Sequence, residues 1–113
     1  MNKRYRLRNN ADFEKVYKYG KSFANKYLVI KFRKVNYTKL RIGFSISRKY
    51  GNAVKRNKIR RQLKDIAQRR INTLKSGLDI VFLVRAEASA ATYTELENSF
   101  ENLLKRAKII EDI

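Results

Sequence analysis

Apolar residues recur along this chain with two periods, and the switches between them mark out six elements. Residues ~10–19 read as a short helix: Asn9 or Asn10 can cap it, Phe13, Val16 and Tyr17 fall at i, i+3, i+4, and Gly20 follows as a stop. Residues ~26–35 alternate as a strand, with Leu28, Ile30 and Phe32 on one face. Residues ~39–48 alternate more cleanly, Leu40, Ile42, Phe44 and Ile46 against Arg41, Gly43, Ser45 and Ser47. The short link Asn36-Tyr37-Thr38 predicts that these two strands form an antiparallel hairpin.

Gly51-Asn52 breaks the pattern and supplies an N-cap. A helix over ~53–71 follows, with Ile59, Leu63, Ile66 and Ala67 as its apolar stripe. Residues ~78–85 are almost continuously apolar, which suits a strand covered on both faces. Thr92 and Glu95 fit a capping box at the head of a last helix over ~93–110, whose stripe is Tyr93, Leu96, Phe100, Leu103, Leu104 and Ala107. The order is α-β-β-α-β-α. An α+β fold in one domain over residues 1–113, a two-layer αβ sandwich with a small sheet packed by helices, is the economical arrangement. The strand–helix–strand unit between residues 39 and 85 gives a parallel pair if its two strands are neighbours.

Charge changes the picture from fold to partner. The chain has 28 Lys and Arg against 10 Asp and Glu, a formal charge of +18. From Lys15 to Lys64 there are 17 basic residues and no acidic one. A solvated surface normally mixes both signs, because self-repulsion costs stability. A stretch this one-sided points to a polyanion, with nucleic acid ahead of an anionic membrane surface. No apolar run approaches the ~18 residues of a membrane span. The basic start, Met1 to Arg4, leads into a polar segment and not a signal-peptide core, so the expected location is cytoplasmic.

On a helical wheel, Asn57, Arg60, Arg61 and Lys64 lie within about 100° of one another, opposite Ile59, Leu63 and Ile66. Arg56 continues the apolar stripe toward the N-terminus and emerges at the sheet edge. A plain solvated face would carry Glu partners at i+4, and this one has almost none. It favours Arg, which grips phosphate with two hydrogen bonds at once. Phe13 and Tyr17 are either core or the wall of a groove where unpaired bases stack. The polar strand face, Arg41, Ser45 and Ser47 with nearby Lys31, makes the other wall. Catalysis by the chain itself finds little support. There is no His or Cys, no Gly-rich phosphate loop, and no acidic cluster able to hold two metal ions.

The segment Gly51 to Arg61 (GNAVKRNKIRR), preceded by Ser45 to Lys49 (SISRK), closely resembles the signature of the bacterial ribonuclease P protein subunit. Arg6-Leu7-Arg8, Asp12-Phe13, Val16-Tyr17 and Gly20 to Asn25 look like that family's first helix and turn. Asp79 to Arg85 (DIVFLVR) looks like its third strand. The resemblance implies a protein that partners a catalytic RNA, binds the 5′ leader of precursor tRNA and assists Mg²⁺-dependent removal of that leader. It implies a left-handed βαβ crossover, against the general rule, and a monomeric protein within the holoenzyme. The RNA-binding motif is then Arg48, Lys49, Lys55, Arg56, Asn57, Arg60, Arg61 and Lys64. The leader cleft is Phe13, Tyr17, Lys31, Arg41, Ser45 and Ser47, with Lys31 where the family often has an aromatic. No catalytic residue and no protein metal site are expected. The alternatives are a general RNA-binding module, such as a ribosomal protein or RNA chaperone, and a DNA-binding regulator. The last lacks helix-turn-helix spacing or a dimerisation element.

Overall fold

The computed structural model describes residues 1–111 and places three α-helices and four strands along them. In chain order these are α1 (Asn10–Tyr19), β1 (Lys21–Ala24), β2 (Leu28–Lys34), β3 (Leu40–Ser45), α2 (Ala53–Gln68), β4 (Leu78–Val84) and α3 (Tyr93–Ala107). The expected caps are present. Asn9 Oδ1 accepts from Ala11 N–H, Asn52 Oδ1 from Lys55 N–H, and Thr92 and Glu95 form the reciprocal box.

β4 dictates the sheet. Its apolar residues face both ways, so it has to lie between other strands. It pairs antiparallel with β2, from Leu28 opposite Val84 to Lys34 opposite Leu78. It pairs parallel with β3, from Leu40 opposite Leu78 to Ser45 opposite Leu83. The strand order is β1-β2-β4-β3, so the parallel β3–β4 pair is realised and the expected β2–β3 hairpin is not. The connection from Val35 to Lys39 is long enough to step over one strand, a gap of about 10 Å. The start of β4 threads through that opening. Val35 N–H donates to the Gly77 carbonyl, and Gly77 and Leu78 N–H both donate to the Lys39 carbonyl. Gly77 takes φ 71° to make the entry, a conformation suited to glycine.

β1 is an addition to the expected elements. It pairs with β2 at the sheet edge, Lys21 opposite Phe32 to Ala24 opposite Val29. Four residues with a single large apolar side chain, Phe23, carry too little alternation to be read as a strand.

The two sheet faces differ as the alternation requires. One face carries Leu28, Ile30, Phe32, Leu40, Ile42, Leu78, Ile80 and Phe82 into the main core with α2 and α3. Phe82 and Phe100 stack there with ring centroids 4.1 Å apart. This is the expected two-layer sandwich. On the opposite face α1 covers part of the sheet: Val16 is fully buried against Leu7 and Val81, with Phe13 and Leu83 beside them. The small apolar patch on β4 is what takes the helix.

The β1–β2 turn is pinned to α3 by Asn25. Its Nδ2 donates to the Ser99 carbonyl (2.9 Å) and its Oδ1 accepts from the Ser99 hydroxyl (2.7 Å) and from Leu28 N–H (3.1 Å). Replacing Asn25 by Ala orphans several part-buried groups at once. Asn25→Ala is expected to cost about 2 kcal/mol or more, read as a lower urea midpoint at unchanged m-value.

Candidate nucleic-acid interface

The groove begins with a missing side chain. Gly43 lies mid-strand in β3, and the Phe13 ring rests on its backbone. A Cβ built at Gly43 would stand 2.4 Å from Phe13 Cζ, so only glycine lets the ring approach this closely. One turn further along α1, Tyr17 meets Phe13 edge-on, with centroids 6.2 Å apart, and stays 39% exposed. Lys31, on β2, places Nζ 5.4 Å from the centre of the Tyr17 ring. The two readings of the aromatic pair thus merge: Phe13 packs on the small core cluster and also lines the groove.

Between α1 and β3 runs a hollow of about 460 Å³ lined by Phe13, Tyr17, Phe44, Ser45, Ile46 and Arg60, with Asn10 and Glu14 at the α1 side. A second hollow of about 380 Å³ continues it toward the N-terminus. It shares Phe13, Phe44 and Arg60, and adds Arg6, Arg8 and Lys64. The side chains of α2 thus reach the groove from beyond the β3 edge. The N-terminal segment is held beside β3 by Leu7 N–H donating to the Ile42 carbonyl at 3.0 Å.

The rim is electrostatically loaded. Burial and the charges of Arg6 and Arg60 hold the Lys64 ammonium below the ordinary lysine value. Arg6 Nε is buried without a hydrogen-bond partner. Arg60 donates from Nη1 to Asn57 Oδ1 at 3.0 Å, so the asparagine orients the arginine. Three cations held together around one hollow repel one another, and an anion between them relieves that repulsion. Among the described residues, no group of three or more acidic side chains could hold a metal ion.

Comparison with known proteins decides the family. A family model described as Ribonuclease P matches residues 1–108. The chain belongs to the ribonuclease P protein family. It is 45% identical over 104 residues to a ribonuclease P protein component of Clostridioides difficile, covering 91% of each chain. Its fold matches the Staphylococcus aureus RNase P protein with a TM-score of 0.89 at 36% identity, over 95% of this chain and 98% of that one. The Thermotoga maritima RNase P protein gives 0.82 at 36% identity, over 89% and 96%. The chain is thus a ribonuclease P protein subunit, part of an endoribonuclease, whose partner is the ribonuclease P RNA.

Within this family member the expected site residues do not all gather in one place. Phe13, Tyr17, Lys31, Ser45, Arg60 and Lys64 gather at or beside the groove. Asn57 and Arg61 stand exposed on the outer side of α2, and Lys55 in its first turn. Arg56 is half-buried, with Nε unpartnered, as its place at the end of the apolar stripe requires. Arg48 and Lys49 are exposed on a short 3-10 turn, Arg48–Tyr50, that links β3 to α2. Ser47 caps that turn, its Oγ accepting from Lys49 N–H at 3.1 Å, and so acts on the turn and not on the groove wall.

Arg41 is engaged elsewhere. Its Nε and Nη2 grip both oxygens of Asp79 at 2.9 and 2.8 Å, and Nη1 donates to Asp12 Oδ2 at 3.1 Å. A guanidinium held by two carboxylates keeps little capacity for phosphate. Asp79 is one of these carboxylates; Asp65 is held by Arg69 and by the Tyr93 hydroxyl at 2.6 Å. Arg6, Arg8 and Phe44 are groove residues that reasoning from the sequence had not placed there. The alternation of Arg6-Leu7-Arg8, with Leu7 buried, was the available signal.

Because Arg60 and Lys64 are like charges one helical turn apart, Lys64→Gln should raise the stability of the free protein by about 0.2–0.5 kcal/mol. The same change should weaken its affinity for RNA. Urea titration and filter binding on one sample check both, and a fall in stability would show that the cluster is not under repulsion.

Proposed function

We propose that the groove between α1 and β3 takes the 5′ leader of precursor tRNA as an extended single strand. Phe13 and Tyr17 offer ring faces or edges to unpaired bases, and Lys31, Arg60, Lys64 and Arg6 meet the phosphates. The observation that carries this reading is a half-exposed aromatic pair lining a groove whose far rim is cationic, with Glu14 the carboxylate among its described lining residues. The exposed cations of α2 and its preceding turn, Arg48, Lys49, Lys55 and Arg61, with the neutral Asn57 among them, extend that surface toward the catalytic RNA.

In this reading the hydrolysis belongs to the RNA, and so does the Mg²⁺ it uses. The chain brings no His or Cys to act as base or nucleophile. Of the α1 carboxylates, Glu14 lines the groove without a second carboxylate beside it, and Asp12 is engaged with Arg41. The protein contributes affinity: it neutralises phosphates that magnesium would otherwise have to screen, so its effect is largest when magnesium is scarce. It acts as a monomer within the ribonucleoprotein. No helix among the described residues is long and apolar enough to cross a membrane, in keeping with a cytoplasmic role.

Cleavage of precursor tRNA by the cognate catalytic RNA, with and without this chain, tests the reading. The chain should lower the Mg²⁺ concentration needed and should favour precursor over mature tRNA. Binding should fall with salt at a log–log slope of about −0.7 per phosphate contacted. Equal affinity for precursor and mature tRNA would contradict leader binding.

A further inference from the structure

The Asp79–Arg41–Asp12 relay reaches from the buried centre of the sheet to the helix that carries the groove aromatics. Asp79 is fully buried on β4, and its register partner on β3 is Arg41. The two-point grip on Asp79 leaves the guanidinium few alternative positions. Its remaining nitrogen, Nη1, meets Asp12 in the first turn of α1 at 3.1 Å, where both side chains are 22% exposed.

Asp12 precedes Phe13, and Arg41 precedes Gly43 by two residues on the same side of β3. Helix residues 12 and 13 therefore meet strand residues 41 and 43 in succession. The first contact is an ion pair and the second is a ring on bare backbone. Together they fix both the rotation of α1 and its slide along β3. Elsewhere α1 is held by Val16, buried against Leu7 and Val81, and by Gly20, whose backbone lies so close to β2 that a Cβ there would stand 2.7 Å from the Phe32 carbonyl oxygen, both toward its C-terminal half. The N-terminal half adds to the packing of Phe13 the ion pair of Asp12.

We infer that Asp12 is a positioning residue, setting through Arg41 the seat of the Phe13 ring over Gly43 and with it the selectivity of the groove for leader-bearing substrate. This rests on the leader-groove reading. Asp12 itself touches no RNA in this account. Arg41 keeps its grip on Asp79 when Asp12 is neutralised, so the fold does not depend on the outer half of the relay.

Three variants in the reconstituted holoenzyme test it: Asp12→Asn, Asp12→Glu and Phe13→Ala. The readouts are the ratio of precursor to mature tRNA affinity, the urea transition, and the proton shifts of Gly43 Hα in the free protein, which lie under the Phe13 ring. Asp12→Asn should lower the affinity ratio about three- to tenfold, the range of one net hydrogen bond. It should move the Gly43 Hα shifts toward ordinary strand values while the urea transition stays cooperative, and Asp12→Glu should recover part of both. If Asp12→Asn leaves the ratio and the Gly43 shifts unchanged while Phe13→Ala lowers the ratio, the positioning role is overturned and the leader groove stands. If Phe13→Ala also changes nothing, the groove reading itself fails. Loss of the cooperative transition in Asp12→Asn also overturns the proposal, because the residue then holds the fold and not the ring.

Discussion

Asp79 lies in the central strand with no access to water. A carboxylate there is tolerable only if it is paired, because the desolvation of a lone charge costs several kcal/mol. Arg41 supplies the pair from the neighbouring parallel strand, and the Tyr37 hydroxyl lies 3.3 Å from the same carboxylate. Satisfying Asp79 holds the two strands in register, since a slip of one residue would carry Arg41 to the other face. It also leaves Arg41 Nη1 free to meet Asp12, which sets the first turn of an α1 that the apolar patch around Val16 and Val81 holds on this face. The groove exists because this helix lies over β2 and β4 alongside β3, with Phe13 reaching into the space where Gly43 has no side chain.

The charge distribution completes the site from the other side. The main core takes Ile59, Leu63, Ile66 and Ala67 of α2, which turns the basic side of that helix outward and toward the β3 edge. Arg60 and Lys64 then reach the groove that α1 has formed, and Arg6 joins them from the segment bridged to Ile42. The free protein holds these cations against their own repulsion. Some stability is given up so that the anion finds its partners already assembled; burial first, and then the charges of Arg6 and Arg60, make the Lys64 amine hold its proton less tightly than usual.

Much of this was legible in the sequence, for identifiable reasons. The three helices and their caps follow from strong local signals: Asn9, Asn52 and the Thr92–Glu95 box all act where the pattern puts them. The α2 wheel separated the buried stripe from the basic side because burial there is one-sided. The hairpin was misread because a short link normally joins neighbours. Only the doubly buried character of β4 argued for its insertion, and that is a statement about the whole sheet. β1 escaped because an edge strand of four residues needs little apolar pattern.

The role of Arg41 was misread for a related reason. Its partners stand 29 and 38 residues away in sequence, and only the sheet register brings them together. The groove aromatics, by contrast, were visible as a pair at i, i+4. The most direct test of the account is a photo-crosslink. A benzophenone side chain placed at Tyr17, in the assembled ribonucleoprotein, should crosslink to the 5′ leader of precursor tRNA and give no tRNA adduct with mature tRNA. Equal crosslinking to mature tRNA, or crosslinking to the catalytic RNA alone, would contradict it.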